Sequence, residues 1–151
     1  AKTTSLHTGR VDNTEIYIGG SWKFISLKYF HAVNDYFSVP HTSGSGYIDL
    51  SANYDLGGGW GINGHVGHLN FENYSNGRSN GDYTDWKLGV TKDISGWVFG
   101  AAYVGTNAKG SCTPNAAGLT QPYCFGNDAP GATGTKNAGR DTLILSISRT
   151  F

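Results

Sequence analysis

The C-terminal stretch DTLILSISRTF, residues 141–151, carries the pattern that decides the fold. Leu143, Leu145 and Ile147 recur at every second position, with polar residues between them that only Ile144 interrupts. A period of two residues belongs to a β-strand with one apolar face and one polar face. Chain ends are usually loosely held, yet this pattern continues to Phe151. The stretch therefore predicts a terminal β-strand with a defined end.

The same alternation recurs along the chain, and helical periodicity is nearly absent. Each segment runs for about ten residues and ends at a turn signal, which is typical of strands joined by hairpins. The predicted strands are 14–20, 22–33, 47–56, 60–71, 83–92, 97–106 and 142–151. The sequence thus predicts a single all-β domain over residues 1–151, built as an antiparallel meander.

Short and long connections alternate strictly between the predicted strands. The short turns are predicted around Gly20-Ser21, 57–59 and 93–96, and the long loops near 34–46, 72–82 and 107–141. Every second connection of a meander lies at the same end of the sheet, so one end should carry all the long loops. This arrangement is typical of up-and-down transmembrane β-barrels, whose strands need about 9–11 residues. About seven or eight strands are visible; a soluble sandwich or lipocalin-type barrel is the alternative.

The charge content helps to distinguish a transmembrane barrel from a soluble one. Lys plus Arg and Asp plus Glu are both 11, so the formal net charge is zero and a nucleic-acid partner is not expected. Only 15% of residues are charged, against about 25% in soluble domains. A soluble barrel would carry more surface charge, so the composition favours a barrel with apolar side chains facing lipid. The absence of Met and of a leader sequence indicates a mature or proteolysed start.

The polar faces of the predicted strands hold the residues that we expect to line the lumen. They are Glu15, Lys28, Asp49, Asn53, Asn63, His65, Asp85 and Lys87. Three acids against two lysines predict weak charge selectivity that slightly favours cations. Four aromatic residues near the short turns are expected to form an interfacial girdle: Trp22, Tyr54, Trp60 and Trp97.

Five segments carry a resemblance to a known family. They are EIYIGGSWKFISLKYF (15–30), YIDLSANYDL (47–56), YTDWKLGVTKDISG (83–96), AAYVGTNAKG (101–110) and LILSISRTF (143–151). In this order and spacing the chain resembles the TorF-family porins of Gram-negative outer membranes. The upstream strands with which that family normally opens are not found here. Either residues 1–13 supply a further strand, or N-terminal strands are missing from this chain, or several chains share one barrel. Residues 1–13 lack clear alternation, which favours a missing or separate N-terminal part.

The resemblance implies a protein of the Gram-negative outer membrane, made with a cleaved signal peptide. Its partners would be outer-membrane lipid, lipopolysaccharide and the barrel-assembly machinery, and an oligomer or a further chain could complete the barrel. Phe151 looks like the C-terminal assembly signal that this machinery reads. Arg149 stands where many such proteins place an aromatic residue, but its charge can snorkel to water.

Few residues suggest other chemistry. Cys112 and Cys124 share the longest loop and are predicted to form a disulfide. His65 and His68 are three residues apart, which places them on opposite faces of a strand, so a shared metal ion is not expected. No serine lies in a nucleophile elbow. The sequence predicts neither enzyme activity nor a cofactor.

A soluble β-barrel binding protein is one reading of the sequence, and two functions remain open for a membrane barrel. The first is a passive channel for ions or small solutes, and the second is a closed structural or adhesive barrel whose extracellular loops bind a partner. The bore of a barrel grows with strand number. Seven or eight strands would be filled by their own side chains, whereas about twelve could pass small solutes. Strand number therefore decides between the two.

Overall fold

A computed structural model describes residues 12–126 and 134–149, and in these ranges the protein is all-β. The nine strands of the described residues are β1 (Glu15–Trp22), β2 (Ile25–Ala32), β3 (Gly46–Gly57), β4 (Trp60–Asn70), β5 (Tyr83–Ile94), β6 (Trp97–Thr106), β7 (Cys124–Gly126), β8 (Thr135–Asn137) and β9 (Thr142–Arg149). A 3-10 turn at Tyr36–Ser38 lies between β2 and β3. The predicted assembly signal at Phe151 lies outside the described residues.

Seven strands form one antiparallel sheet in the order β1-β2-β3-β4-β5-β6-β9. Each strand pairs with the next one along the sheet, so the predicted meander is confirmed. Within the described ranges no ladder joins β1 to β9. The sheet is therefore open as described, and its closure into a barrel stays a prediction.

The first short turn lies elsewhere than predicted. Gly20 and Ser21 are strand residues paired with β2, and the chain reverses at Lys23-Phe24, where Lys23 has a φ of 54°. A turn at Gly20-Ser21 would have put Trp22 on the polar face of β2. The observed turn keeps Trp22 in β1 on the apolar face. The glycine suggested a turn, but the alternation of side chains decided its position.

The other two short turns lie where the glycines predicted them. Gly58 and Gly59 have φ values of 59° and 78°, and Ser95 and Gly96 have 52° and 84°. Positive φ at both central residues is what the tightest hairpin turns require, because their twist then matches that of the strands. A glycine adopts this conformation without the steric cost that a Cβ atom brings.

The long loops pack against one another at the opposite end of the sheet. The rings of Tyr36 and Phe71 meet edge to face with their centroids 5.3 Å apart. Arg78 Nη1 donates hydrogen bonds to the carbonyls of Thr113, at 2.6 Å, and Leu119, at 3.0 Å. The sheet therefore has an end of tight turns and an end covered by a layer of interlocked loops.

The segment 107–141, predicted to be a loop, contains additional structure. Its strands β7 and β8 form a short antiparallel ladder. Cys112 and Cys124 form a disulfide, with their Cα atoms 5.2 Å apart. A loop that packs over other loops buries part of its backbone, and buried backbone N–H and C=O groups need hydrogen-bond partners. The ladder and the disulfide supply this internal order.

The described residues form almost no apolar core. Ala32 and Leu69 are the buried apolar residues among them, and buried Thr42 and Ser45 hydrogen-bond within the first long loop. By contrast, Ile18 is 75% exposed, although it lies in a regular strand. Burial is therefore concentrated near the loop layer. No described segment forms a helix that is long and apolar enough to cross a membrane.

The short turn at Gly96 tests whether positive φ is the reason for a glycine there. Replacing Gly96 by Ala should destabilise the protein by about 1 kcal/mol, since the new Cβ meets no neighbouring atom but φ is positive. Gly20→Ala is the matched control, because Gly20 also has open space but ordinary strand geometry. Urea unfolding in detergent, followed by tryptophan fluorescence, measures both. Equal effects would contradict the turn assignment.

The disulfide gives a second test, confined to the loop layer. Reduction should lower the stability of the loop by about 3 kcal/mol in the chain-entropy model. It should also make residues 112–124 sensitive to protease. The strands should keep their circular dichroism, because the bridge joins two residues of one connection. A Cys112→Ser/Cys124→Ser variant should be indifferent to reductant. Unchanged protease resistance of the wild type after verified reduction would refute this role.

Candidate functional site: a charged cluster on the polar face

The sheet register places all eight predicted lumen residues on one face. Asp49 pairs with Gly67, and Gly67 pairs with Asp85. Two residues along the strands, on the same face, His65 pairs with Lys87. Lys28 pairs with Asp49, and Asn53 with Asn63. Because side chains alternate strictly between faces, these residues and Glu15 share one face, which we call the polar face. Its role as a lumen lining stays a prediction.

His65 lies between two aspartates at the centre of this face. Its Nδ1 is 2.9 Å from Asp49 Oδ2, and its Nε2 is 2.7 Å from Asp85 Oδ1. A neutral imidazole has only one N–H, whereas the imidazolium donates from both nitrogens. His65 therefore bridges two carboxylates, one on each neighbouring strand, and it donates to both at once only as an imidazolium.

Two hydroxyl groups complete this arrangement. The Tyr47 hydroxyl donates to Asp85 Oδ2 at 2.8 Å, and the Ser51 hydroxyl donates to Asp49 Oδ1 at 2.8 Å. Each carboxylate thus receives hydrogen bonds from a hydroxyl and from His65. We call these five residues the His65 cluster. The period of two places Tyr47 and Ser51 on the same face as Asp49, but the sequence did not identify them as site residues.

A glycine makes the close approach of the two aspartates possible. Gly67 stands between Asp49 and Asp85 in the ladder, and a Cβ atom there would overlap the Tyr47 hydroxyl. Any side chain at this position would displace Tyr47 from Asp85. The strand glycine therefore serves the packing of the cluster, at some cost in strand propensity.

The cluster is shielded from solvent, but not completely. The side chains of His65, Asp49 and Asp85 are 20%, 22% and 27% exposed. At this depth water still screens part of the attraction, so the net contribution is about 1–3 kcal/mol. Loss of His65 would leave two like charges facing each other across Gly67.

Two cavities of about 530 Å³ each open on the polar face. One lies under the loop layer and is lined by Tyr47, His65, Asp85 and Lys87, with Tyr123 from the longest loop. The other lies toward the short turns and contains Asn53 and Asn63. The polar face is therefore recessed, and the His65 cluster lines the cavity nearer the loops.

Tyrosines of the loop layer close over this cavity. Tyr123 packs edge to face on Tyr83, with centroids 5.5 Å apart, and its hydroxyl donates to the Gly81 carbonyl. Burial, reinforced by the charge of Glu15, raises the pKa of Tyr36 to about 12, and burial also raises the pKa of Tyr123. These hydroxyls remain neutral hydrogen-bond donors at physiological pH.

The remaining predicted residues lie apart from the cluster. Glu15 is in the edge strand β1 and acts on Tyr36 of the first long loop. The Asn63 side-chain oxygen is buried without a hydrogen-bond partner, near the short-turn end. His65 and His68 do point to opposite faces: His68 Nδ1 is 2.9 Å from Thr84 Oγ1, on the other side of the sheet.

The cluster is a poor metal site as it stands. Each nitrogen of His65 faces a different carboxylate, so the three side chains do not converge on one point. Within residues 12–126 and 134–149, no three His, Cys, Asp or Glu side chains are grouped to hold a metal ion. The arrangement can instead hold charges in fixed positions along a recessed polar surface.

One known family matches nearly the whole chain. The model of the Gcw_chp family, described as a bacterial protein of unknown function, matches residues 3–151. The chain belongs to the Gcw_chp family. No curated protein matches it, and no solved structure does. Membership in the Gcw_chp family carries no function, so the resemblance to TorF-family porins stays a prediction.

The His65 cluster predicts unequal roles for the two histidines of β4. His65→Ala should lower the free energy of unfolding by about 1–3 kcal/mol, because it leaves two aspartates without their shared cation. Adding Asp49→Asn should restore part of this loss. His68→Ala, which removes one exposed hydrogen bond, should cost less than about 1 kcal/mol. Urea unfolding measures all three; equal costs for the two histidines would contradict the proposed charge bridge.

Proposed function

We propose that the chain forms part of an outer-membrane β-barrel whose polar face lines a channel for ions or small solutes. One observation carries this proposal: the face opposite the His65 cluster is apolar across all seven strands and exposed. Its residues include Ile18 at 75%, Leu27 at 48%, Leu88 at 61% and Leu145 at 74% exposure. We call this the apolar face.

The size of the apolar face argues against a monomer in water. Completing the burial of a half-exposed aliphatic side chain is worth about 1 kcal/mol. Over the aliphatic residues of seven strands this is on the order of 10 kcal/mol, as large as the entire net stability of a typical domain. Soluble monomers rarely expose apolar patches of this extent. Lipid is the environment that turns the same face into a favourable contact.

The dimensions of the sheet agree with a bilayer. Strand β4 has 11 residues, which at a rise of about 3.3 Å per residue span about 36 Å. Tilted by about 45°, such a strand crosses about 25 Å, the height of the apolar band of outer-membrane barrels. Trp22, Trp60 and Trp97 all lie at the short-turn end, as residues of an interfacial girdle would.

Strand direction limits how the barrel can close. Neighbours in a meander alternate in direction, so β1 and β9, the first and seventh strands of the sheet, run the same way. A barrel with antiparallel pairs throughout therefore needs an odd number of additional strands. Strands from elsewhere in the polypeptide, or from another chain, would supply them, since unpaired backbone groups in lipid cost several kcal/mol each.

The charges of the polar face predict a weakly selective channel. Glu15, Asp49, Asp55, Asp85 and Asp93 outnumber Lys28 and Lys87 on this face, even with an imidazolium at His65. The lining should therefore prefer cations slightly, and replacing His65 by a neutral side chain should increase this preference. Replacing His68, on the apolar face, should not change selectivity.

The experiment is conductance of the native assembly in planar bilayers under a KCl gradient. The wild type should conduct with a reversal potential displaced slightly toward the potassium equilibrium potential. His65→Gln should shift it further in that direction, and His68→Gln should not, because His65 belongs to the polar face and His68 to the apolar face. Equal shifts for the two variants would contradict the face assignment. Extraction of the wild type by plain buffer without detergent would refute the membrane location.

A folded, membrane-inserted protein without conductance would favour the second candidate, a closed structural or adhesive barrel. The loop layer is the observation that supports this alternative. The Arg78 hydrogen bonds, the disulfide and the β7–β8 ladder hold the long loops in one arrangement. A preorganised surface of this kind binds a partner without a large ordering cost.

A further inference from the structure

We propose that the short-turn end of the apolar face binds the headgroups of anionic phospholipids. This inference rests on the membrane location proposed above and names the lipid class that this rim selects. Three tryptophan–cation pairs form the site, which we call the basic rim: Trp22 with Lys23, Trp60 with Lys92, and Trp97 with Arg149.

The three pairs repeat one geometry on three hairpins. Lys23 Nζ lies 4.5 Å from the ring centroid of Trp22, and Lys92 Nζ lies 4.8 Å from that of Trp60. The guanidinium carbon of Arg149 lies 5.0 Å from the Trp97 centroid. These distances are within the range of cation–π attraction, about 6 Å.

The sheet register accounts for two of the pairs. Trp60 stands directly opposite Lys92, and Trp97 directly opposite Arg149. Directly opposed residues of antiparallel strands have neighbouring side chains on the same face. The cations therefore lie beside the tryptophans on the apolar face, and the third pair is formed by adjacent residues of the first turn.

Charges at this end of the sheet are separated by face. Lys92 and Arg149 belong to the apolar face, whereas the nearby acids Asp55 and Asp93 occupy alternate positions and belong to the polar face. Both acids also accept backbone hydrogen bonds in the turns, from Gly57 and Gly96. The outward side of the rim in the described residues is therefore positive, and it meets the membrane where the apolar band ends.

The chemistry of the pairs suits a phosphate group. Indole rings favour the headgroup level of a bilayer, and a cation held against the ring is fixed at that level. Lys92 donates one hydrogen bond to the Gly58 carbonyl at 2.7 Å, which leaves two further donors on its ammonium group. The guanidinium of Arg149 adds a further positive charge at the same level. A net negative headgroup is attracted by the summed charge of the rim and carries no cation of its own to oppose it.

The test compares insertion into two kinds of vesicle: phosphatidylcholine alone, and equal parts of phosphatidylcholine and phosphatidylglycerol. The native assembly is transferred from detergent at low salt, and the inserted fraction is read from tryptophan fluorescence and from resistance of the strands to protease. Wild type should insert into the anionic vesicles about tenfold more strongly, and high salt should abolish this preference.

Two triple variants locate the effect. Lys23→Gln/Lys92→Gln/Arg149→Gln should lose the preference for phosphatidylglycerol while still inserting into phosphatidylcholine. Lys109→Gln/Lys136→Gln/Arg140→Gln removes three cations from the opposite, loop end and should keep the preference. If the rim variant does not fold, the single variant Lys23→Gln decides instead, because Lys23 lies in a turn, and it should reduce the preference.

The outcomes separate the two proposals. Equal insertion of the wild type into both vesicles, or loss of the preference in the loop-end variant alone, would overturn the basic rim while leaving the membrane location intact. Failure of the wild type to enter either vesicle would overturn the membrane location, and the basic rim with it. An unchanged preference in the rim variant, or in Lys23→Gln where that variant decides, would also overturn the assignment.

Discussion

The structure depends on one constraint: the period of two is kept along the paired strands, apart from one irregularity between Asp55 and Gly57, so each face of the sheet keeps one prevailing chemical character. A slip of one residue in any ladder would exchange the two faces of a strand. The first turn illustrates the strength of this constraint. The chain passes through Gly20-Ser21 without turning and reverses at Lys23-Phe24, which keeps Trp22 with the other apolar side chains.

The two faces then have different structural consequences. On the polar face, Asp49 and Asp85 approach across Gly67 and are held by His65, Tyr47 and Ser51. On the apolar face, side chains remain exposed because no second layer of the described residues covers them. The polar face is thus stabilised by hydrogen-bonded polar side chains, whereas the apolar face has no covering layer among the described residues.

The two ends of the sheet also differ. At one end, three hairpins carry tryptophans with adjacent cations. At the other, loops with a disulfide and a short ladder lie over the cavity that the His65 cluster lines. A channel would be entered through this loop layer and a partner would bind on it, so the layer bears on both proposed functions. The basic rim bears only on the proposed membrane location.

The sequence by itself determined the seven strands of the main sheet to within a few residues, their antiparallel order and the membership of each face, because these follow from a local period and from turn residues. It misplaced the first turn and did not predict β7 and β8. It also identified Asp49, His65 and Asp85 as members of the polar face, and Cys112 and Cys124 as a pair. Only the tertiary structure decided that His65 bridges the two aspartates, that Tyr47 and Ser51 complete the cluster, and that Lys92 and Arg149 lie beside tryptophans. These contacts join residues from different strands, and the register that aligns them depends on the exact position of every turn. A local pattern fixes which face a side chain occupies, but only the paired strands fix its neighbours.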